Sequence, residues 1–172
     1  MKNFFYISTT VVFVFFCFIV LLKGLNNNNT YVPDKIFEKQ ILNFTAKNLS
    51  DNKEIDSEEL FLDNKIYLLN IWASWCLPCR AEHDILMKLS RINSIKIIGL
   101  NYKDNLVNAE KFINEMGNPY SEILIDKDGV ISIELGAYGI PETFIINNKM
   151  ILKKFIGPLN EVSLKEIMVL LK

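Results

Sequence analysis

Nothing in the 172-residue chain constrains its fold as strongly as residues 68–86, LLNIWASWCLPCRAEHDIL. The near-continuous apolar run Ile66–Trp72 leads into this stretch, and such a run predicts a strand covered on both faces. Two tryptophans and Cys76-Leu77-Pro78-Cys79 follow, and then a helical pattern takes over. The spacing predicts a helix over 78–92 with Ala81, Ile85, Leu89 and Ile92 on one face. Pro78 suits a first helical turn, where its missing N–H costs nothing. A doubly covered strand running straight into a helix calls for layered α/β architecture, with two thiols at the junction.

The rest of the chain agrees. A second buried strand is predicted over 95–100, and an amphipathic helix over 105–116 with Leu106, Ala109, Ile113 and Met116 in line. Gly117-Asn118-Pro119 ends that helix. A short strand over 122–125, a turn at Asp128-Gly129 and a helical turn over 131–135 come next. Strands over 142–146 and 150–156 flank Asn147-Asn148-Lys149, where asparagine tolerates the left-handed backbone of a tight hairpin. A closing helix starts near Glu161, capped by Asn160, with Leu164, Ile167, Met168 and Leu171 as its buried face. Upstream, a short strand over 40–46 and a short helix over 57–62 complete the expectation. The fold class is therefore α/β, a mixed central sheet with helices on both faces.

Residues 4–22 carry no charge, and Ser8, Thr9 and Thr10 are their only polar interruptions. About 20 apolar residues cross a bilayer core as a helix, so this run is long enough. It ends Val20-Leu21-Leu22-Lys23-Gly24-Leu25, without the small-x-small site of a cleaved signal, and Val14-Phe15-Phe16 before Cys17 lacks a lipoprotein cleavage box. Residues 1–25 are accordingly read as an uncleaved anchor, 26–37 as a polar linker and 38–172 as the folded domain. Lys2 against Lys23 leans only weakly towards a cytoplasmic N-terminus. Cys17 is expected to pack in lipid as a small apolar residue. With 19 basic and 20 acidic side chains and no basic cluster, the chain has no nucleic-acid-binding character.

Two residues between cysteines at a helix start put both sulfurs at one helix end. The first meets unpaired N–H groups and the positive end of the dipole, which favour the thiolate. Free cysteine titrates near ~8.5 and falls by one to several units in such a site. The Cys76 thiolate attacks a substrate disulfide, and Cys79 then resolves the mixed disulfide. Three other readings compete. A structural zinc site needs four ligands, and His83, the only histidine, lies too close on the same helix to complete the set with the pair. A purely structural disulfide across two residues restrains little of the unfolded chain. An accidental pair does not explain the strand before it and the helix after it.

The segment Trp72-Ala73-Ser74-Trp75-Cys76-Leu77-Pro78-Cys79-Arg80 resembles the active-site signature of thioredoxin-like proteins. Further blocks extend the likeness: Arg80-Ala81-Glu82-His83, Gly99-Leu100-Asn101-Tyr102-Lys103-Asp104, Gly117-Asn118-Pro119-Tyr120 and residues 136–144 (GAYGIPETF). Together they resemble the CcmG/DsbE family, membrane-anchored thiol:disulfide oxidoreductases of cytochrome c maturation, over roughly residues 60–172. The resemblance implies a thioredoxin-like fold, a single-pass protein of the inner membrane with its domain in the periplasm, and no cofactor beyond a redox-active Cys76–Cys79 disulfide. It also implies a reducing role. The partners would be apocytochrome c, or a maturation protein carrying its cysteines, and a membrane thiol reductant of the DsbD or CcdA kind. A reductase in an oxidising compartment needs such a supply. The chain departs from the family pattern Gly-Lys-Pro-x-Pro-x-Phe, reading Glu38-Lys39-Gln40-Ile41-Leu42-Asn43-Phe44, which leaves the first strand's boundaries open.

The resemblance also assigns supporting residues. Pro141 matches the family's cis-proline, which would present the Ile140 backbone to a substrate; the alternative is an ordinary trans turn proline. Asn70 stands where thioredoxins typically bury an aspartate, and its expected role is hydrogen bonding within the strand layer. Glu82 and Glu142 are then the candidates for an acid that holds up the thiol pKa values and relays a proton, against two solvated carboxylates. Trp72 is expected in the core and Trp75 on the surface as a platform for the partner. His83 is read as a solvated helix residue, and Tyr102 and Asp104, at the end of a strand, are expected to line the groove. Two further functions stay open: a general disulfide oxidase or isomerase, and a tethered binding module with an inert disulfide.

Overall fold

The computed structural model describes residues 2–26, 39–61 and 65–170. The chain divides into two units, Met1–Pro33 and Asp34–Lys172. The first contains one helix, α1 (Lys2–Asn26), whose segment Tyr6–Lys23 is long and apolar enough to cross a membrane. At 1.5 Å per residue those 18 residues extend ~27 Å, about the thickness of a bilayer's hydrocarbon core. Thr9 and Thr10 turn their hydroxyls back onto the Tyr6 carbonyl at 2.9 and 2.8 Å, so these two polar interruptions are satisfied within the helix. Cys17 is a free, half-exposed thiol on this helix. The segment read as a linker lies almost wholly outside the described residues.

The second unit is an eight-stranded mixed sheet. Its elements in order are β1 (Lys39–Gln40), β2 (Thr45–Asn48), β3 (Glu54–Asp56), α2 (Ser57–Leu60), β4 (Ile66–Trp72), α3 (Leu77–Leu89), β5 (Ile95–Tyr102), α4 (Leu106–Met116), β6 (Glu122–Asp126), α5 (Val130–Glu134), β7 (Glu142–Asn147), β8 (Met150–Ile156) and α6 (Glu161–Leu170). The strand order is β1-β8-β7-β4-β5-β6-β2-β3. β4 is central, parallel to β5 and antiparallel to β7.

Strand pleating divides the sheet's side chains between two cores. Leu68 and Trp72 of β4, Ile97 of β5 and Ile145 of β7 pack with Ile85, Leu86 and Leu89 of α3, Ala109 and Phe112 of α4, and Ile167 of α6. Tyr67, Leu69 and Ile71 of β4 and Phe144 and Ile146 of β7 point the other way, towards Ile41, Phe44, Phe61 and Leu135. Trp72 lies between Phe112 and Tyr120, with centroids 5.3 and 5.4 Å away. Gly99 makes room for it, since a Cβ there would come within 2.9 Å of both the Trp72 indole nitrogen and the Tyr120 ring.

The long elements match expectation, but several buried faces differ. The strand expected over 40–46 is two strands, because Ile41 and Phe44 are buried three apart while Leu42 is exposed, a spacing that pleated alternation does not give. On α3 the buried face is Cys79, Glu82, His83, Ile85, Leu86 and Leu89, with Ala81 exposed and Ile92 beyond the helix end. α4 buries Ala109, Phe112 and Ile113, leaving Leu106 and Met116 at its exposed ends. α6 buries Ser163 and Ile167, with Leu164 half-buried and Met168 exposed; Leu171 lies outside the described residues.

Candidate active site

The site starts where β4 ends. Cys76 and Cys79 form a disulfide, with Cα atoms 5.3 Å apart. Cys76 is the N-cap of α3, in extended conformation, and its sulfur accepts the Cys79 N–H at 3.1 Å. Leu77 and Pro78 fill the first turn, both exposed. The cysteines are 4 and 3% exposed, so accessibility does not distinguish them. Helix position does: only the Cys76 sulfur faces unpaired N–H groups that stabilise a thiolate.

The loop carrying the pair is fixed from β5. Asp104 accepts the Ser74 N–H at 2.5 Å, the Ser74 hydroxyl at 2.7 Å, the Asn101 amide at 3.0 Å and the Asn105 N–H at 2.8 Å. Trp75, next to Cys76 in the chain, is 59% exposed and donates its indole N–H to the Lys103 carbonyl at 3.2 Å. Arg80 donates to the Ser74 carbonyl at 3.2 Å and lies over the Phe112 ring. Tyr102 packs partly against the second core.

Behind the disulfide is a buried polar cluster. Glu82, three residues after Cys79 on the same face of α3, accepts the Asn70 amide at 2.8 Å and the Leu159 N–H at 2.7 Å. Asn70 also donates to the Thr143 hydroxyl at 3.0 Å and accepts the Tyr120 hydroxyl at 2.9 Å. Glu82 has no exposed surface, and burial raises its pKa from 4.5 to about 7, although the hydrogen bonds from Leu159 and Asn70 oppose the rise. Burial, and secondarily the charge of Glu82, pushes the Tyr120 hydroxyl well above its ordinary value. Asn70 thus has the expected place in the strand layer and, beyond that, holds Glu82.

The loop opposite contains Ile140, half-buried, and Pro141, buried, joined by a cis peptide bond. The β4–β7 register pairs Asn70 with Thr143 and Ile71 with Glu142, so its continuation sets Pro141 against Trp72, at the end of the strand that leads to the cysteines. Glu142 is no solvated carboxylate either. Its exposure is 1%, and it accepts the Tyr138 and Gly139 N–H groups at 2.8 and 3.1 Å on one oxygen. The other oxygen meets the Lys154 ammonium at 2.6 Å, an ion pair that approaches off the hydrogen-bonding direction. The two acids lie on opposite faces of the sheet, because Thr143 shares the α3 side with Asn70 while Glu142 shares the other with Phe144.

His83 also corrects the sequence reading. It is 1% exposed, bonds through Nε2 to the Gly117 carbonyl at 3.0 Å and meets Phe112 edge-on, so it ties α3 to the end of α4. Burial lowers its pKa, against the opposing pull of the Gly117 and Met116 carbonyls. Sequence reasoning missed Lys154 altogether, and gave Tyr120 and Thr143 no role although both lie in blocks that carry the family likeness.

Comparison with known proteins places this geometry. The redoxin family model matches residues 37–167. The thiol:disulfide interchange protein DsbE of Tatumella citrea is 39% identical over 132 residues, covering 76% of this chain and 71% of that protein. CycY, the thiol:disulfide interchange protein of Rhizobium leguminosarum bv. viciae, is 45% identical over 106 residues, covering 61% of this chain and 57% of that protein. Among solved structures, a putative DsbE from Chlorobium tepidum superposes with a TM-score of 0.66 at 19% identity, over 79% of this chain and 98% of that one, a likeness of fold.

Proposed function

Because the chain belongs to the redoxin family, among the DsbE/CycY (CcmG) proteins, and is therefore a thiol:disulfide oxidoreductase, we propose that it works as a reductase in cytochrome c maturation. Its Cys76 thiolate attacks a disulfide of apocytochrome c, or of a protein that handles apocytochrome c, and Cys79 releases the client as a dithiol. Each turnover leaves Cys76–Cys79 oxidised, so a membrane thiol reductant of the DsbD or CcdA kind resupplies two electrons. The domain works in the periplasm, tethered by α1 to the inner membrane.

The observation that carries the reducing direction is Glu82. Strong oxidants of this fold owe their potential to a stabilised reduced form with a very acidic thiolate. Here a buried carboxyl one turn from Cys79 does the opposite. As a carboxylate it repels a thiolate, and as an acid it holds the proton that the resolving step exchanges. The dithiol is then poorly stabilised relative to the disulfide, which lowers the potential.

Two measurements test this reading. The reduction potential is expected nearer thioredoxin's ~−270 mV than the oxidant end at ~−120 mV. The Cys79→Ala variant, which cannot resolve, is expected to hold haem-attachment proteins on Cys76 in cells. A potential at the oxidising end, or capture confined to envelope proteins without haem-attachment cysteines, overturns the proposal in favour of a general oxidase or isomerase.

A further inference from the structure

Lys154 is a buried cation that the dithiol chemistry does not use. Simple alternation along β8 puts Ile151 and Lys154 on opposite faces, but the β7–β8 register shifts between Ile145 and Ile146. Ile151 pairs with Ile146 and Lys154 with Phe144, which leaves Leu152 as the extra residue and turns Lys154 inward beside Ile151. Its side chain is 4% exposed.

Among the described residues, the polar contacts of this ammonium lead to one loop. It pairs with Glu142 at 2.6 Å and donates to the Gly136 carbonyl at 2.8 Å. It also lies over the Tyr138 and Phe144 rings, 4.2 and 5.2 Å from their centroids. Glu142 in turn holds the Tyr138 and Gly139 N–H groups. Loop 136–140 is thus tied at three points, Gly136, Tyr138 and Gly139, to one buried ion pair, just before Ile140 and Pro141. An ion pair is a weak way to gain stability in a core, where apolar residues of equal volume serve as well. It is an effective way to hold a loop whose start is fixed by backbone bonds from Gly136 to Ile133 and from Ala137 to Ser132 at 2.9 Å each.

We propose that Lys154 is a positioning residue for polypeptide clients. Through Glu142 it sets the conformation of loop 136–140, where an extended client backbone pairs beside Cys76, and so governs client affinity while leaving the thiol chemistry alone. This rests on the reducing role proposed above. The pair lies on the face of the sheet opposite α3 and Glu82, and its contacts are with loop 136–140 and β7 rather than with the helix that carries the thiols.

Lys154→Met in the full-length protein keeps the buried stem and removes the charge. Lys154→Met combined with Glu142→Gln removes both charges, so no carboxylate is stranded in the core. The client probe is a disulfide-bonded peptide containing Cys-x-x-Cys-His, reduced in single turnovers by protein whose Cys76–Cys79 pair is reduced beforehand, so that KM and kcat are the half-saturation concentration and limiting rate of that turnover. The control is a small aromatic disulfide that meets Cys76 without the loop. Lys154→Met is expected to raise the peptide KM about tenfold with kcat and the small-disulfide rate within about twofold, and the double variant to raise KM likewise. Amide exchange at Tyr138 and Gly139 is expected to accelerate about tenfold. An unchanged peptide KM in a folded variant overturns the inference, as does equal slowing of peptide and small disulfide, which marks a general packing defect. A wild-type protein that does not reduce the peptide overturns the proposed function and this inference together; a wild type that does, with variants that match it, overturns the inference alone.

Discussion

Glu82→Gln is the perturbation whose size follows most directly from the structure. With the disulfide formed neither cysteine titrates, and Glu82 is the carboxyl that burial lifts from 4.5 to about 7. Below about pH 4.5 the folded and unfolded chains both hold this proton, and its contribution to stability is fully present. Between 4.5 and about 7 the folded chain keeps the proton and the unfolded chain releases it, so stability falls as pH rises. Above about 7 the loss is complete. A shift of roughly 2.5 units at ~1.36 kcal/mol per unit makes that loss ~3 kcal/mol, spread over the window at a slope approaching ~1.4 kcal/mol per pH unit. Glutamine cannot ionise, so the variant lacks this component. Glutamine also turns an N–H group towards Asn70 or Leu159, which costs stability at every pH and cancels when the two pH profiles are subtracted. Urea unfolding of the oxidised protein from pH 4 to pH 9 is expected to show the wild type losing ~3 kcal/mol relative to Glu82→Gln across the window. Parallel profiles would refute both the raised pKa and its role in setting the direction of electron flow.

Asp104→Ala leaves the Ser74 and Asn105 N–H groups, the Ser74 hydroxyl and the Asn101 amide without their acceptor, and is expected to cost ~2–4 kcal/mol in chemical unfolding while accelerating exchange at Ser74. Gly99→Ala forces a methyl group against the Trp72 indole and the Tyr120 ring and is expected to cost ~1–3 kcal/mol, read as a lower unfolding midpoint with quenched or shifted tryptophan emission. Asn70→Asp restores the acid typical of thioredoxins at 2.8 Å from Glu82, so the two carboxyls share one proton; carbon NMR titration is expected to show one apparent pKa falling and the other rising above the wild-type Glu82 value.

Most of the scaffold was legible because long apolar runs and helix periodicity are local. Ile66–Trp72 and the 77–89 helix follow from their own residues, and the Cys76 cap follows from the helix start. What was not legible depends on partners far away in sequence. Helix periodicity does not bury Glu82, which only the family likeness names as an acid near the thiols, and His83 reads as a solvated helix residue. Yet Asn70, Leu159 and Gly117 from other elements satisfy them, which is what permits their burial. The split of the first strand escaped because Ile41 and Phe44 are placed by the sheet they pack beneath. Lys154 escaped because a single bulge reverses which face it occupies, and nothing in Met-Ile-Leu-Lys-Lys-Phe-Ile announces a bulge.

The pleat of β7 joins these features. Thr143 turns towards α3 and completes the polar cluster around Glu82, while Glu142, its immediate neighbour, turns the other way and anchors the loop before Pro141. One acid lies behind the disulfide, where the proposed function has it bear on the thiols' protonation; the other lies behind the facing loop, where the proposal for Lys154 has it bear on that loop's shape. Since side chains alternate across a strand, adjacent residues report to different cores, and a substitution at one reaches the other chiefly through shared backbone. The separation has a measurable consequence. Glu82 and Lys154 share no partner among the described residues, so the effects of their variants on kcat/KM for the client should combine additively as free energies, whereas those of Glu82 and Asn70, in direct contact, should not. Strong coupling between Glu82 and Lys154 in a double-mutant cycle would mean that the sheet transmits between its faces, and that chemistry and loop shape are one device rather than two.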